Sequence, residues 1–303
     1  MKFGVCIPNY GETLSVEALR EVSQVAERLG FDSIWTTDHI LMPRNSGTPY
    51  ERIFDSISSL AYLAGQTRKV KLGISSLIVA MRNPIEVTKQ LSTIDVLSGG
   101  RVTMLAIGAG WFEREFSFLG SNFHNRGRRV NESIRILRSL WSGETKLESK
   151  VLPHNYSDVV FEPRPLHDQL SIWIGGTSRA AMKRAAELGD AWHPNAFPLD
   201  TFREMVTQFR SISQEEKKNA KEMKPICVRI GLNLKAPQAE YRGPQGEKRI
   251  LLSGNMGENR EIISELEKLG VSYAVVVTSP DGKVALPDQL EGLKLIAKEF
   301  ISP

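Results

Sequence analysis

Ser33-Ile34-Trp35-Thr36-Thr37-Asp38-His39 is the stretch from which the fold follows. Ile34 and Trp35 are large and apolar, two β-branched residues come next, and two ionisable side chains close the run. This reads as a short strand buried on both faces, as strands of parallel sheets are, with Asp38 and His39 at its C-terminal lip. In parallel α/β proteins ligands gather beyond the carboxyl ends of the strands. A His beside an Asp at that place fits two roles. It is an acid-base group, because imidazole titrates near neutrality, or it is a ring that hydrogen-bonds Asp38 to close a loop.

Working outward, residues 2–8 form a strand, and a helix capped by Ser15 carries Leu19, Val22, Val25, Ala26 and Leu29 at helical spacing until Gly30 stops it. Beyond His39 a long loop reaches residue 53, and Asp55 caps a helix to about residue 67. A strand over 70–79 and a helix from Pro84 through 97 follow, the proline standing where a first helical turn tolerates it. Gly99-Gly100 turn the chain into a strand over 102–108, and an amphipathic helix covers 128–141. Such repetition predicts parallel strands joined by right-handed crossovers.

Residues 143–168, with Pro153, Pro163 and Pro165, break the rhythm and read as an excursion with a short hairpin. The rhythm resumes with a strand over 171–176, a helix over 179–188, a short strand over 190–193, a long helix over 201–223 and a strand over 226–234. A second insertion lies near 235–256. Its first part, through Arg249, holds Pro237, Gly243, Pro244 and Gly246 and reads as a mobile loop. A helix over 258–269, a strand over 272–278 and a helix over 288–300 complete the pattern. Eight strands alternating with eight helices predict an α/β fold, a single (β/α)8 TIM barrel over 1–303 with two insertions. An open doubly wound sheet is the alternative.

Composition agrees with a globular enzyme-sized domain: 303 residues, 41% hydrophobic and 24% charged. The formal net charge of +4 is spread among acidic residues without a single-sign block, so nucleic acid is not implied, while an anionic ligand is compatible. The two cysteines, Cys6 and Cys227, each sit in an apolar run and read as buried free thiols of a reducing compartment. Residues 1–8 read as a strand rather than a signal peptide, and no apolar run approaches membrane-spanning length. The expectation is a cytoplasmic protein with no membrane partner. No Cys or His spacing suggests a metal site, and neither Gly-x-Ser-x-Gly nor Gly-Lys-Ser occurs.

Other strand ends supply further candidates. Ser75-Ser76 places two small hydroxyls among aliphatics, which fits either a flat ring lying on the backbone or a tight packing spot. Gly108-Ala109-Gly110 lets backbone approach a ligand closely, though it lacks the third glycine of a dinucleotide fingerprint. Trp111 and Phe112 either wall a planar ligand or pack the next helix. Gly175-Gly176-Thr177-Ser178 stands directly before an amphipathic helix, so its free amides fit an anion site as well as an ordinary Ser N-cap. His193 ends the sixth strand and is either a polar pocket group or structural. Arg126, Arg128 and Arg129 read as a helix-start surface from which one arginine reaches an anionic tail.

At these residues the chain resembles the bacterial luciferase-like monooxygenase superfamily, and more narrowly its coenzyme F420-dependent oxidoreductase branch. The matching pieces are GFDSIWTTDHI (30–40), LGISSLIVAMRNP (72–84), LSGGRVTMLAIGAGWFEREFSFLG (97–120), RGRRVNESIRILRSLW (126–141) and IWIGGTSRAAMKRAAELGDAWHP (172–194), with a weaker match in GENREIISELEKLGVSYAVVV (257–277). The resemblance implies an insertion-bearing (β/α)8 barrel, Asp38 and His39 near a deazaflavin ring, a non-proline cis peptide at Ser75-Ser76, and a phosphate turn at Gly175, Gly176 and Thr177. Two departures stand out. Sugar-phosphate dehydrogenases of the branch carry a catalytic Glu just after the strand-four glycines, where this chain has Trp111. Their strand-two-loop Trp is replaced here by Met42 and Pro43. Both departures argue against glucose 6-phosphate.

Three functions follow as expectations. The preferred one is coenzyme F420-dependent hydride transfer to or from a small organic substrate. The second is a monooxygenase using reduced FMN and oxygen, and the third a non-catalytic flavin-binding barrel. The resemblance also implies a homodimer.

Overall fold

The computed structural model describes residues 1–149, 151–153, 155–167, 170–216 and 223–301. Seven strands come first: β1 (Lys2–Cys6), β2 (Ser33–Thr36), β3 (Lys71–Leu77), β4 (Val102–Ile107), β5 (Ser171–Gly175), β6 (Ala191–His193) and β7 (Ile226–Leu232). A short pair, β8 (Glu240–Arg242) and β9 (Lys248–Leu252), precedes β10 (Val271–Val277). Strands β1 to β7 pair in sequence order, and β10 pairs with both β1 and β7, all parallel, which closes an eight-stranded barrel. The predicted (β/α)8 barrel is therefore the observed fold, and the open sheet is not.

The helices that cover the barrel start and stop where their termini find partners. They are α1 (Val16–Arg28), α2 (Ser56–Gln66), α3 (Pro84–Ser98), α4 (Glu113–Phe118), α5 (Arg126–Trp141), α6 (Arg179–Glu187), α7 (Leu199–Glu216), α8 (Met256–Lys268) and α9 (Leu286–Phe300). Ser15, Asp55 and Ser178 each accept from a backbone amide of the first turn of α1, α2 and α6. Such caps satisfy amides that have no intrahelical partner. Gly99, at φ +74°, ends α3 in a conformation few other residues adopt without cost.

Because side chains alternate along a strand, each barrel strand buries two faces. Ile34, Leu72, Ile74, Leu105, Ile172 and Val276 face the helical layer and share one core with it. Trp35, Met104, Trp173, Cys227 and Tyr273 turn inward and fill the barrel. The Trp35 indole lies across that interior, 4.9 Å from the Trp173 ring, with its Nε1–H donating to Ser33 Oγ. Two glycines make room for it. A Cβ at Gly4 would stand 2.6 Å from Trp35 Nε1, and one at Gly73 2.6 Å from Trp35 Cε3.

The insertions differ from expectation in one respect. Residues 235–249, read as a mobile loop, contain β8 and the start of β9, an antiparallel pair whose Leu251 and Leu252 also run parallel to Gly231 and Leu232 of β7. Ile250, Leu251 and Leu252 are buried there, and that burial holds the segment against the barrel despite its Pro and Gly content. The first insertion carries one antiparallel bridge, Leu147 with Tyr156, in keeping with a short hairpin. Residues 150, 154 and 168 of that excursion, and 217–222 of the helix expected over 201–223, lie outside the described residues. The six-residue α4 was not expected at all. Among the described residues no helix is long and apolar enough to cross a membrane.

Replacing Gly73 by Ala drives a methyl into the Trp35 ring, and overpacking of this kind costs about 1–3 kcal/mol. Urea unfolding of Gly73→Ala is expected to show that loss, and the double variant Gly73→Ala/Trp35→Leu a smaller increment than the sum of the two single changes. Wild-type stability in Gly73→Ala would refute the close approach.

Candidate active site

Above the aromatic layer, at the carboxyl ends of the strands, lies a cavity of about 530 Å³. His193 joins the two regions, stacking on Trp35 with centroids 5.9 Å apart and lining the cavity. Its Nδ1 is 2.6 Å from the Cys227 carbonyl, which can only accept, so Nδ1 carries the proton. Nε2 then accepts from the Ser75 hydroxyl at 2.8 Å. Burial pushes the His193 pKa down from 6.5 to about 4. The ring is thus a neutral structural bridge with both nitrogens used.

His39 is held differently. It is buried, lines the cavity, stacks on Tyr50 at 4.5 Å and meets the edge of Trp111 at 5.9 Å. Its Nδ1 lies 2.7 Å from Oε2 of Glu115, a residue of α4 that is 1% exposed. Oε1 of the same carboxylate accepts from the backbone amides of Ile40 at 2.6 Å and Leu41 at 3.2 Å. One carboxylate therefore orients the imidazole and fixes the start of the strand-two loop. With Nδ1–H donating to Glu115, Nε2 is left without a protein partner among the described residues, at the wall of the cavity.

Asp38 does not take the part that its place next to His39 suggested. Its carboxylate accepts from Ser56 Oγ at 2.7 Å, from the Ile78 amide at 2.9 Å and from Arg82 Nη2 at 2.6 Å. Adjacent residues of an extended segment point to opposite sides, so the acid partner of His39 comes from elsewhere. Sequence reasoning misses Glu115 because α4 is too short to show periodicity and lies 76 residues from His39.

The other candidates divide between the cavity and its support. The Ser75-Ser76 peptide is cis, as the resemblance implied. Ser76 lines the cavity, whereas the Ser75 hydroxyl points to His193 behind the wall. A Cβ at Gly175 would stand 3.0 Å from Ser76 Oγ and one at Gly108 3.4 Å from Ser76 Cβ, so small residues flank Ser76 and keep a flat strip open. Ala109, Gly110 and Trp111 continue that wall. Gly110 has φ +81°, and a Cβ there would meet Phe116 at 2.6 Å. Gly176, at φ +106°, leads through Thr177 to the N-terminus of α6, and all line the far end of the cavity. Arg126 and Arg184 line this end too and hydrogen-bond neutral acceptors, the Gly110 carbonyl for Arg126 and Asn131 Oδ1 and the Gly127 carbonyl for Arg184. Arg129 instead donates to the Ala80 carbonyl.

Sequence reasoning also missed Tyr50, Arg229 and Arg249, which line the cavity from the strand-two loop, β7 and β9. Among the described residues, no group of three His, Cys, Asp or Glu side chains that could hold a metal ion occurs. Chemically, the arrangement offers a flat strip between two cationic ends and an imidazole with one free nitrogen.

Comparison with known proteins agrees on the family. A family model described as Luciferase-like monooxygenase matches residues 1–242. The FMNH2-dependent dimethylsulfone monooxygenase of Pseudomonas putida is 27% identical, over 70% of this chain and 60% of its own length. The 5,10-methylenetetrahydromethanopterin reductase of Archaeoglobus fulgidus is 26% identical over 99% of both chains. Among solved structures, an F420-dependent secondary alcohol dehydrogenase superposes with TM-score 0.78 at 17% identity, covering 99% of this chain and 98% of that one. That likeness is one of fold.

The His193 bridge carries a pH signature. Its pKa is about 4 in the folded chain and near 6.5 in the unfolded one, so the unfolded state binds more protons between those values. Its contribution to stability is full above about pH 6.5 and falls by up to about 3 kcal/mol as pH drops towards 4. Urea midpoints from pH 4.5 to 7.5 are expected to fall less steeply with acid in His193→Gln than in the wild type. Parallel profiles would show that the ring titrates freely.

Proposed function

The chain belongs to the luciferase-like monooxygenase family, and from that premise we propose that it is an oxidoreductase working with a flavin-type cofactor, preferentially coenzyme F420, by hydride transfer to or from a small organic substrate. The observation that carries this reading is the joining, in one cavity, of the flat strip at Ser76, the anion-compatible turn at Gly176 and the His39–Glu115 pair.

The residues fit such a cofactor. Gly108 and Gly175 leave free the space beside Ser76 that side chains would fill, which suits a planar ring. Gly176, Thr177 and the α6 N-terminus, with Arg126 beside them, suit a phosphate. When bound, the cofactor supplies the hydride acceptor or donor. The protein positions the ring and handles the proton. His39 Nε2 takes or gives the proton that accompanies hydride movement, and Glu115 keeps the imidazole oriented. Asp38, bonded to Arg82, holds the end of β3 against the strand-two loop through Ile78.

The preference for F420 is supported by the likeness to the F420-dependent glucose-6-phosphate dehydrogenase of Amycolatopsis mediterranei, 29% identical over 57% of this chain and 52% of its own length. The alignment with the sulfone monooxygenase, over 70% of this chain, supports the second reading, reduced FMN with oxygen. A non-catalytic flavin carrier is disfavoured by the His39–Glu115 pair, which storage does not need. For the assembly we propose a homodimer.

Titration of the purified chain with both cofactors is expected to give tighter binding of F420 than of FMN. Micromolar FMN affinity with no F420 binding would reverse the preference. His39→Asn is expected to bind cofactor as the wild type does and to lose turnover by about 10²–10⁴-fold. Glu115→Gln is expected to lower turnover, because the carboxylate no longer orients the imidazole. Undiminished turnover in His39→Asn would remove the imidazole from the mechanism.

A further inference from the structure

The wall opposite the flat strip carries a charge that the cofactor reading does not use. Around the barrel β7 is four strands from β3 in either direction, so Arg229 of β7 stands across the mouth from Ser76. Its Nη2 donates to Thr37 Oγ1 at 2.8 Å and contacts Cys6 Sγ at 3.6 Å. Nε and Nη1 have no protein partner, and no carboxylate lies within ion-pair distance of the guanidinium, among the described residues. A guanidinium is always charged, presents five N–H donors and is costly to leave unpaired away from water.

Arg249 lines the same cavity from the second insertion. One of its nitrogens is taken by Glu247, while Nε is buried with no partner among the described residues. Tyr50 lies in the same wall and stacks on His39, and burial raises its phenol pKa, so its hydroxyl remains a donor at neutral pH. Thr37, which receives Arg229, is two residues from His39 in the chain. Donors and proton-transfer group therefore share one side of the cavity, and among the described residues no carboxylate lining it is left uncommitted, Asp38 being bonded to Arg82.

From this we infer that the substrate is a small organic anion, a carboxylate or sulfonate, whose acidic group is held by Arg229 with Arg249 and Tyr50 while its reactive carbon lies towards His39. Two oxygens on one planar or tetrahedral head match the fork of a guanidinium, and charge-assisted pairing is the strongest contact such a site makes. The inference rests on the oxidoreductase reading only in calling the anion a substrate. The anion site itself does not require it.

The test is calorimetric titration with benzoate, methanesulfonate and uncharged benzamide, on the protein alone and saturated with whichever of F420 or FMN it binds. Benzoate or methanesulfonate is expected to bind and benzamide not. Arg229→Gln is expected to weaken the anion by about 10–100-fold, Arg229→Lys to recover part of it, and both to keep cofactor affinity. Equal binding of benzamide and benzoate, or anion affinity untouched by Arg229→Gln, overturns the inference. Parallel loss of cofactor affinity in Arg229→Gln also overturns it, since the arginine would then serve the cofactor's own anionic tail. Arg249→Gln and the benzoate–benzamide contrast in the wild type decide the matter if Arg229→Gln does not fold. Arg229-dependent anion binding in a chain that binds neither cofactor upholds the site and defeats the oxidoreductase reading.

Discussion

The indole of Trp35 determines where the barrel stops being a core and becomes a site. It spans the interior between Gly4 and Gly73, neither of which has room for a methyl group, and it meets Trp173 and His193 on its far side. A parallel barrel must fill its own axis with side chains. One large ring on β2, given space by two glycines, shares that filling with Trp173 and Tyr273. Above it the inward positions become small or polar, with Ser75 on β3, His193 on β6 and Arg229 on β7, and the cavity begins.

This division explains why the fold was legible in the sequence and the site only in part. Runs such as Ser33–Thr36, apolar on both faces and bounded by caps at Ser15 and Asp55, admit few arrangements, and eight of them with intervening helices close a barrel. Strand ends could be read as site candidates for the same reason, which brought His39, Ser76, Gly108 and Gly176 into view. What one strand end receives from another part of the chain leaves no local signal. Glu115 reaches His39 from a six-residue helix, Tyr50 from a loop, and Arg229 from a strand whose other residues are apolar. The hairpin of β8 and β9 was hidden in the same way, its buried Ile250-Leu251-Leu252 following a stretch dominated by turn residues.

Asp38 and Glu115 show how sequence neighbours can mislead about chemistry. Both carboxylates are almost fully buried, and each accepts three or more hydrogen bonds. Asp38 faces the permanent cation of Arg82, so its charge is matched whatever happens in the cavity. Glu115 faces an imidazole and two amides, which hold it in place without a permanent cation. A carboxylate of the second kind fixes the tautomer and orientation of the ring it faces, and one of the first kind ties chain segments together. The adjacent Asp bonds to Arg82, and the distant Glu to the imidazole.

The arginines around the cavity fall into the same two kinds. Arg82 is neutralised by two aspartates, and Arg249 is partly matched by Glu247. Among the described residues Arg126 and Arg229 meet only neutral groups, one near the α6 N-terminus and the other on the opposite wall. Unmatched cations at two separated places in one low-dielectric cavity call for two anionic groups rather than one. In the proposed reading, the phosphate of a flavin-type cofactor at the Gly176 turn answers the first. The second stands on the side of His39, where the same reading puts the reacting molecule.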